Sequence, residues 1–349
     1  MTLERVVLRP YALPLKQAWR AASATLVERR GMLIGVFSEG LAGWGDCAPL
    51  PSSDEPGCAW AFAVLEQAAG ALRGMTLDVA LDGISGIENA QARWAVETAL
   101  LELSARQRGQ PLHEALGAKP VPRVAVNAAV GALDDGCDER VAAALVDGFS
   151  VLKVKVGVGD WRDEARRLRA LASGAGRFRL DANRAWSEAD AAIFLDAVAD
   201  LPIDGVEEPV SHPTLEKLRR LQDRYPFALA VDESLFELGP KNLFAARAVR
   251  RLVMKPARIG GFRETMRLAG NAAAAGLEVV ITSVVDSAVG VAAAAHLAAL
   301  VAPEQVHGLA TSTWLACDVA TPLSVRDGAL ELADEPGLGL APSGEFAQF

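Results

Sequence analysis

The 349-residue sequence predicts an α/β protein whose larger part is a (β/α)8 barrel of the TIM type. Three observations point there. From about Arg123 onward, short apolar strands alternate with helix-like segments. Charged residues close successive strands at intervals of one βα unit, as the mouth of a barrel requires. The first third follows a different, α+β pattern. An open doubly wound sheet is the alternative architecture.

The first third holds strands expected at Leu3 to Arg9 and Met32 to Phe37, then a hairpin turned through Glu39, Gly40, Gly43 and Trp44. Helical periodicity follows over Cys58 to Arg73 and Ala90 to Arg108; in the second run Trp94, Val96, Leu100, Leu101 and Leu103 give a broad apolar face. Residues 1–120 are read as one α+β domain. Residues 121–322 hold the barrel strands VAVNAAV, VLKVKVG, RFRLDANRAW, GVEEPV, ALAVDES, RLVMKP and EVVITSVVDS, with VHGLATSTW as an eighth candidate. The last stretch, 323–349, has two turn clusters, EPGLGL and APSGEF, and is expected to return to the first domain.

Composition excludes several functions. The net charge of -9 is spread over interspersed acids and bases, leaving no basic face for nucleic acid or anionic lipid. Ser287 to Ala302 is apolar but short, alanine-rich and broken by His296, so a buried helix is expected rather than a membrane span. Cys47, Cys58, Cys137 and Cys317 form no CxxC pair, and the charged opening MTLERVVLRP is unlike a signal peptide, so a cytoplasmic protein with reduced thiols is expected. His113, His212, His296 and His307 share no HxH or HExxH spacing. No GxGxxG or GxxxxGK[ST] is present, and Gly157, Val158 and Gly159 alone are too little for a phosphate loop.

The steps from Lys155 to Asp181, Glu207, Asp232 and Lys255 are 26, 26, 25 and 23 residues. Each of the three acids ends an apolar strand. Three carboxylates in one mouth would repel one another and rise in pKa unless a divalent cation neutralised them; oxygen donors with room for water suit Mg²⁺, with Mn²⁺ as substitute. The competing reading is that strand-end acids cap the helices that follow. Lys153 and Lys155, two apart on one strand, share a face, and a lysine beside another cation is expected to have a lowered pKa suited to proton abstraction. Lys255 closes the strand on the far side of the acids, as acid, base or ion-pair partner.

KVKVG, RLDANRAW, VEEP, AVDES and MKP, in this order and spacing, resemble the muconate-lactonising branch of the enolase superfamily. The resemblance implies a modified barrel, an α+β capping domain built from both chain termini, and one Mg²⁺ held by Asp181, Glu207 and Asp232. It also implies Lys155 as principal base, Lys153 as its neighbour, Lys255 across the site, and Asn183 and Glu233 orienting the ligands. The shared step would be abstraction of a proton alpha to a carboxylate of a small-molecule substrate. Within the superfamily, PLKQAWR, GWGDCAPLP, RLDANRAW and ITSVVDSAVG look most like o-succinylbenzoate synthase, a lyase of menaquinone biosynthesis.

In that reading Thr282 and Ser283 approach a substrate carboxylate, Arg20 closes over the ligand, and Asp286, where the family commonly has glutamate, lines the substrate site; Asp46 departs in the same way. Dipeptide epimerase is the nearest alternative, followed by muconate cycloisomerase and N-acylamino-acid racemase. An epimerase usually carries an Asp-x-Asp pair at strand eight, where this chain reads ATSTWLACDV. A binding protein without chemistry and a metal-dependent aldolase or hydrolase are the rivals of other classes. Barrels of this kind are often homo-oligomers by resemblance.

Overall fold

The first domain is built on an antiparallel sheet in the order β1 (Arg5–Arg20), β2 (Thr25–Ser38), β3 (Leu41–Cys47). The computed structural model describes residues 1–20, 25–50, 57–172, 174 and 176–347, except the side chains of Trp19 and Arg20. The β2–β3 turn forms because Glu39 and Gly40 both take positive φ, 52° and 77°, the conformation a tight hairpin demands. β1 and β2 run well past their predicted ends, pairing as far as Arg20 with Thr25, with a register break between Pro14 and Trp19. Helices Gly57–Leu72 and Ala90–Arg108 cover the sheet. The second starts where Asn89 Oδ1 accepts from Ala92 N at 3.0 Å and stops at left-handed Gly109. Gly43 and Gly45 let β3 lie directly on it: an added Cβ would stand 2.0 Å from the Ala99 carbonyl oxygen or 1.9 Å from that of Ala95.

After β4 (Arg123–Ala125), a seven-stranded parallel sheet runs through β5 (Ala128–Ala132), β6 (Val151–Lys155), β7 (Arg177–Asp181), β8 (Ile203–Glu207), β9 (Ala228–Val231), β10 (Arg251–Met254) and β11 (Glu278–Ile281), in sequence order. The eighth expected strand, VHGLATSTW, is reduced to two bridges, His307 with Val126 and Gly308 with Thr282, both parallel, which join the two edges of the sheet. Ser312–Trp314 turn instead into a short 3-10 helix. VAVNAAV is likewise divided at Val126 and Asn127: β4 leaves the barrel to pair with β13 (Ala329–Glu331), which pairs in turn with β12 (Val325–Arg326).

The C-terminal stretch therefore divides its contacts. Its hairpin extends β4, whereas Gly337 exchanges backbone hydrogen bonds with Gln110 and Leu112, and Arg106 reaches the Leu340 carbonyl. Helix Ala288–Val301, the apolar stretch flagged above, is buried along nearly its whole length, and among the described residues no helix is long and apolar enough to cross a membrane.

Candidate active site at the barrel mouth

Strand register places the charged residues in a row. Lys155 pairs with Asp181 and Asp181 with Glu207, and Glu207 pairs with Ala230, two residues before Asp232. These acids do not cap helices. Helix Glu188–Val198 is capped by Ser187 and helix Leu215–Arg224 by Thr214, each accepting from the third backbone N–H beyond it. Asp181 and Glu207 are thus left free for other partners.

Those partners are the lysines. Lys153 Nζ lies 3.0 Å from Asp181 Oδ2 and donates to Glu207 Oε2 at 2.5 Å. On the opposite side Lys255 Nζ donates to Asp232 Oδ2 and sits 4.0 Å from Glu233. Lys155 is half-buried at the end of β6. Asn183, in left-handed conformation, donates both its backbone N–H and its amide to Asp181 Oδ1, at 3.2 and 2.9 Å.

The electrostatics differ from two expectations. Burial alone would lower the Lys153 pKa, but the carboxylates of Glu207 and Asp181 outweigh it and hold the ammonium well above its ordinary value. Lys153 thus sits between two carboxylates with its pKa raised, not lowered as its neighbour Lys155 led one to expect. The carboxylates do not all rise together: burial pushes Glu207 up, whereas at Asp181 the same burial is outweighed by Lys153 and the pKa falls. Glu233 is pushed up to about 6, first by burial and then by Asp232.

The expected substrate contacts lie at the end of β11. Thr282 is buried with its hydroxyl unpartnered. Ser283 Oγ is 2.7 Å from Thr311 Oγ1 and accepts from Val285 N. Asp286 is drawn into the junction between domains. Its carboxylate accepts from Val284 N and lies near Asp46, which takes hydrogen bonds from Tyr11 Oη, Ser287 N and Ser287 Oγ. The side chain of Arg20 lies outside the described residues.

Sequence reasoning missed two groups. Arg29, 1% exposed, spends its guanidinium on the carbonyls of Ala48, Pro49 and Val285, stitching the domains together. Glu208, 2% exposed, accepts from Asp232 N, Ser234 N, Ser234 Oγ and Arg184 Nε. The signal for Glu208 was the doubled acid in VEEP, since neighbouring residues of a strand point to opposite sides.

Among the described residues no three His, Cys, Asp or Glu side chains converge on one point, because Lys153 spans Asp181 and Glu207 while Lys255 holds Asp232. The donor set nevertheless suits a hard divalent cation: three carboxylates at adjacent strand ends, Glu207 among them buried.

Comparison with known proteins places the chain in a family. Residues 137–346 match the family described as enolase C-terminal domain-like. The chain is 30% identical over 363 residues to muconate cycloisomerase 1-1 of Acinetobacter lwoffii, covering 97% of this chain and 94% of that protein. It is 28% identical to the hydrophobic dipeptide epimerase of Enterococcus faecalis, covering 86% and 87%. The fold of a substrate-liganded L-Ala-D/L-Glu epimerase from Bacillus subtilis superposes with a TM-score of 0.87 over 99% of this chain and all of that one, at 24% identity. The chain belongs to the enolase superfamily.

Proposed function

We propose that this protein abstracts a proton alpha to a carboxylate, with Mg²⁺ held by Asp181, Glu207 and Asp232, and that its reaction is the dehydration carried out by o-succinylbenzoate synthase. The observation that carries the proton-abstraction reading is that β6, which ends in Lys155, and β10, which Lys255 follows directly, flank β7, β8 and β9 in one sheet, with Asp181 and Glu207 ending β7 and β8 and Asp232 directly following β9.

Bound Mg²⁺ would supply the positive charge that balances the second negative charge of an enolate. Lys155 takes the alpha proton. Lys153, kept charged by Glu207 and Asp181, stays beside it as a fixed positive charge and never as the acceptor. Lys255 faces the substrate from the end of β10, and the departing hydroxyl leaves as water with a proton from Lys155 or Lys255. Thr282 and Ser283 offer hydroxyl groups to a substrate carboxylate. Mn²⁺ is the expected substitute metal.

Dehydration is favoured over dipeptide epimerisation by one feature. Residues 307–317, around the bridges that replace the eighth strand, contain no carboxylate for a peptide ammonium. Asp318, the first acid beyond them, accepts Ala288 N and Val319 N on Oδ1, and its other oxygen is buried without a partner. The similarity to cycloisomerases and epimerases keeps those two activities as the second reading.

The test is a spectrophotometric assay of the purified protein with the succinyl hydroxycyclohexadiene carboxylate and Mg²⁺, beside an EDTA control. Metal-dependent aromatisation is expected. No turnover by a folded, metal-loaded protein would overturn the substrate assignment, and a dipeptide and acylamino-acid series screened for alpha-proton exchange would follow.

A further inference from the structure

We propose that Glu208 is a positioning residue for the metal site: it fixes the backbone that carries Asp232 and ties the ends of β7, β8 and β9 into one unit. The inference rests on the reading of Asp181, Glu207 and Asp232 as ligands.

Glu207 and Glu208 are adjacent, and their side chains do different things. Glu207 faces Lys153 in the mouth. Glu208 turns away at φ 46°, a left-handed conformation that costs a non-glycine residue energy and persists only when its surroundings enforce it. Four donors do so. Glu208 Oε1 accepts from Asp232 N at 2.7 Å and Ser234 N at 2.8 Å, and Oε2 accepts from Ser234 Oγ at 2.5 Å and Arg184 Nε at 3.1 Å. The N–H groups on both sides of Glu233 are thereby held by a single carboxylate oxygen, which fixes the direction in which Asp232 leaves the chain.

The same unit reaches β7. Arg184 N donates to the Glu208 carbonyl at 2.7 Å, and the Arg184 side chain continues to Ser234 Oγ at 3.0 Å and Glu237 at 2.8 Å. Arg184 and its neighbour Asn183, which donates to Asp181, are themselves left-handed, with φ 62° and 44°. Glu208 N closes the set on the Ala230 carbonyl. A carboxylate with four donors and 2% exposure has no capacity left for solvent or substrate, so its effect on the reaction must pass through the ligands it positions.

Gln222 is the matched control. It is equally buried at 2% and ties together the opposite end of β9, accepting from Leu229 N and Arg250 N and donating to the Phe227 carbonyl. Loss of generic strand support should appear in both variants, loss of ligand positioning only in one.

The experiment titrates Mn²⁺ alone into wild type, Glu208→Gln, Ser234→Ala and Gln222→Ala, reading bound metal by electron paramagnetic resonance and melting temperature in parallel. Glu208→Gln is expected to weaken Mn²⁺ binding roughly 10- to 100-fold, as loss of a group that orients metal ligands does. Ser234→Ala should weaken it in the same direction by less and broaden the spectrum. Gln222→Ala should lower the melting temperature without moving the dissociation constant. Unchanged Mn²⁺ affinity in folded Glu208→Gln, or equal weakening in Gln222→Ala, overturns the positioning role while leaving the metal site standing. Wild type that binds no Mn²⁺ overturns both.

Discussion

Lys153 donates to Glu207 at 2.5 Å across 54 residues of sequence, so a buried carboxylate at the centre of the acid row is matched by a half-buried ammonium from two strands away. Glu207→Gln keeps the size of the side chain and removes the charge that both Lys153 and a cation need. Wild type held at a hundredfold excess of Mg²⁺ over its dissociation constant should gain about 2.7 kcal/mol of stability. The variant should lose most of that gain and at least ~100-fold in activity. Denaturant melts with Mg²⁺ or EDTA, together with turnover, check both halves.

The lysines should separate by role. Lys155→Ala is expected to lower solvent exchange of the alpha proton in D₂O by about 10²- to 10⁴-fold, the usual worth of a positioned base. Lys255→Ala, on the far side, should reduce turnover while leaving measurable exchange and unchanged stereochemistry. Full exchange in Lys155→Ala would remove it from the mechanism.

Much of this site was legible because a barrel makes its chemistry periodic: Asp181, Glu207 and Asp232 each end an apolar run one βα unit after the last. Helix Ala90–Arg108 was legible to the residue because its apolar face is continuous. The strand at VHGLATSTW was not. Its apolar content matches a strand, yet only His307 and Gly308 bridge to neighbours, and no local pattern reports that. The length of β1 and β2 was hidden for a related reason: beyond Tyr11 the ribbon alternates through exposed, polar and proline positions, which read as loop. Partial burial and the neighbouring Lys155 both argue for a lowered Lys153 pKa, whereas two carboxylates from other strands, invisible in the local sequence, decide the sign.

Glycine positions give a paired test of packing. Gly45→Ala drives a methyl group to 1.9 Å from the Ala95 carbonyl oxygen, so β3 and helix Ala90–Arg108 must move apart. Destabilisation of at least ~1–3 kcal/mol is expected. Gly70→Ala, in helix Gly57–Leu72 with open space around the new carbon, should instead be neutral or stabilising by up to ~1 kcal/mol. Urea midpoints of the two variants should shift in opposite directions or leave Gly70→Ala unmoved.

The junction between domains should make stability depend on pH in a definite direction. Asp286 is pushed up to about 7, chiefly by burial and then by Asp46, against the opposing pull of Arg29. The folded state therefore binds a proton that the unfolded state, with an ordinary aspartate pKa of about 3.9, has already released. Stability from this group is fully present below about pH 4 and is lost as pH rises through 7. His296 acts from the other side. Burial, reinforced by His113, lowers it to about 3, so its contribution is intact above the ordinary histidine value of about 6.5 and fades as the solution is acidified towards 3. Asp286→Asn retains an oxygen to accept from Val284 N but cannot ionise. Its melting temperature, followed from pH 5 to pH 9, should fall less steeply than that of wild type between pH 5 and pH 7 and run parallel to it above about pH 8. Parallel curves between pH 5 and pH 7 would mean that Asp286 does not carry this loss.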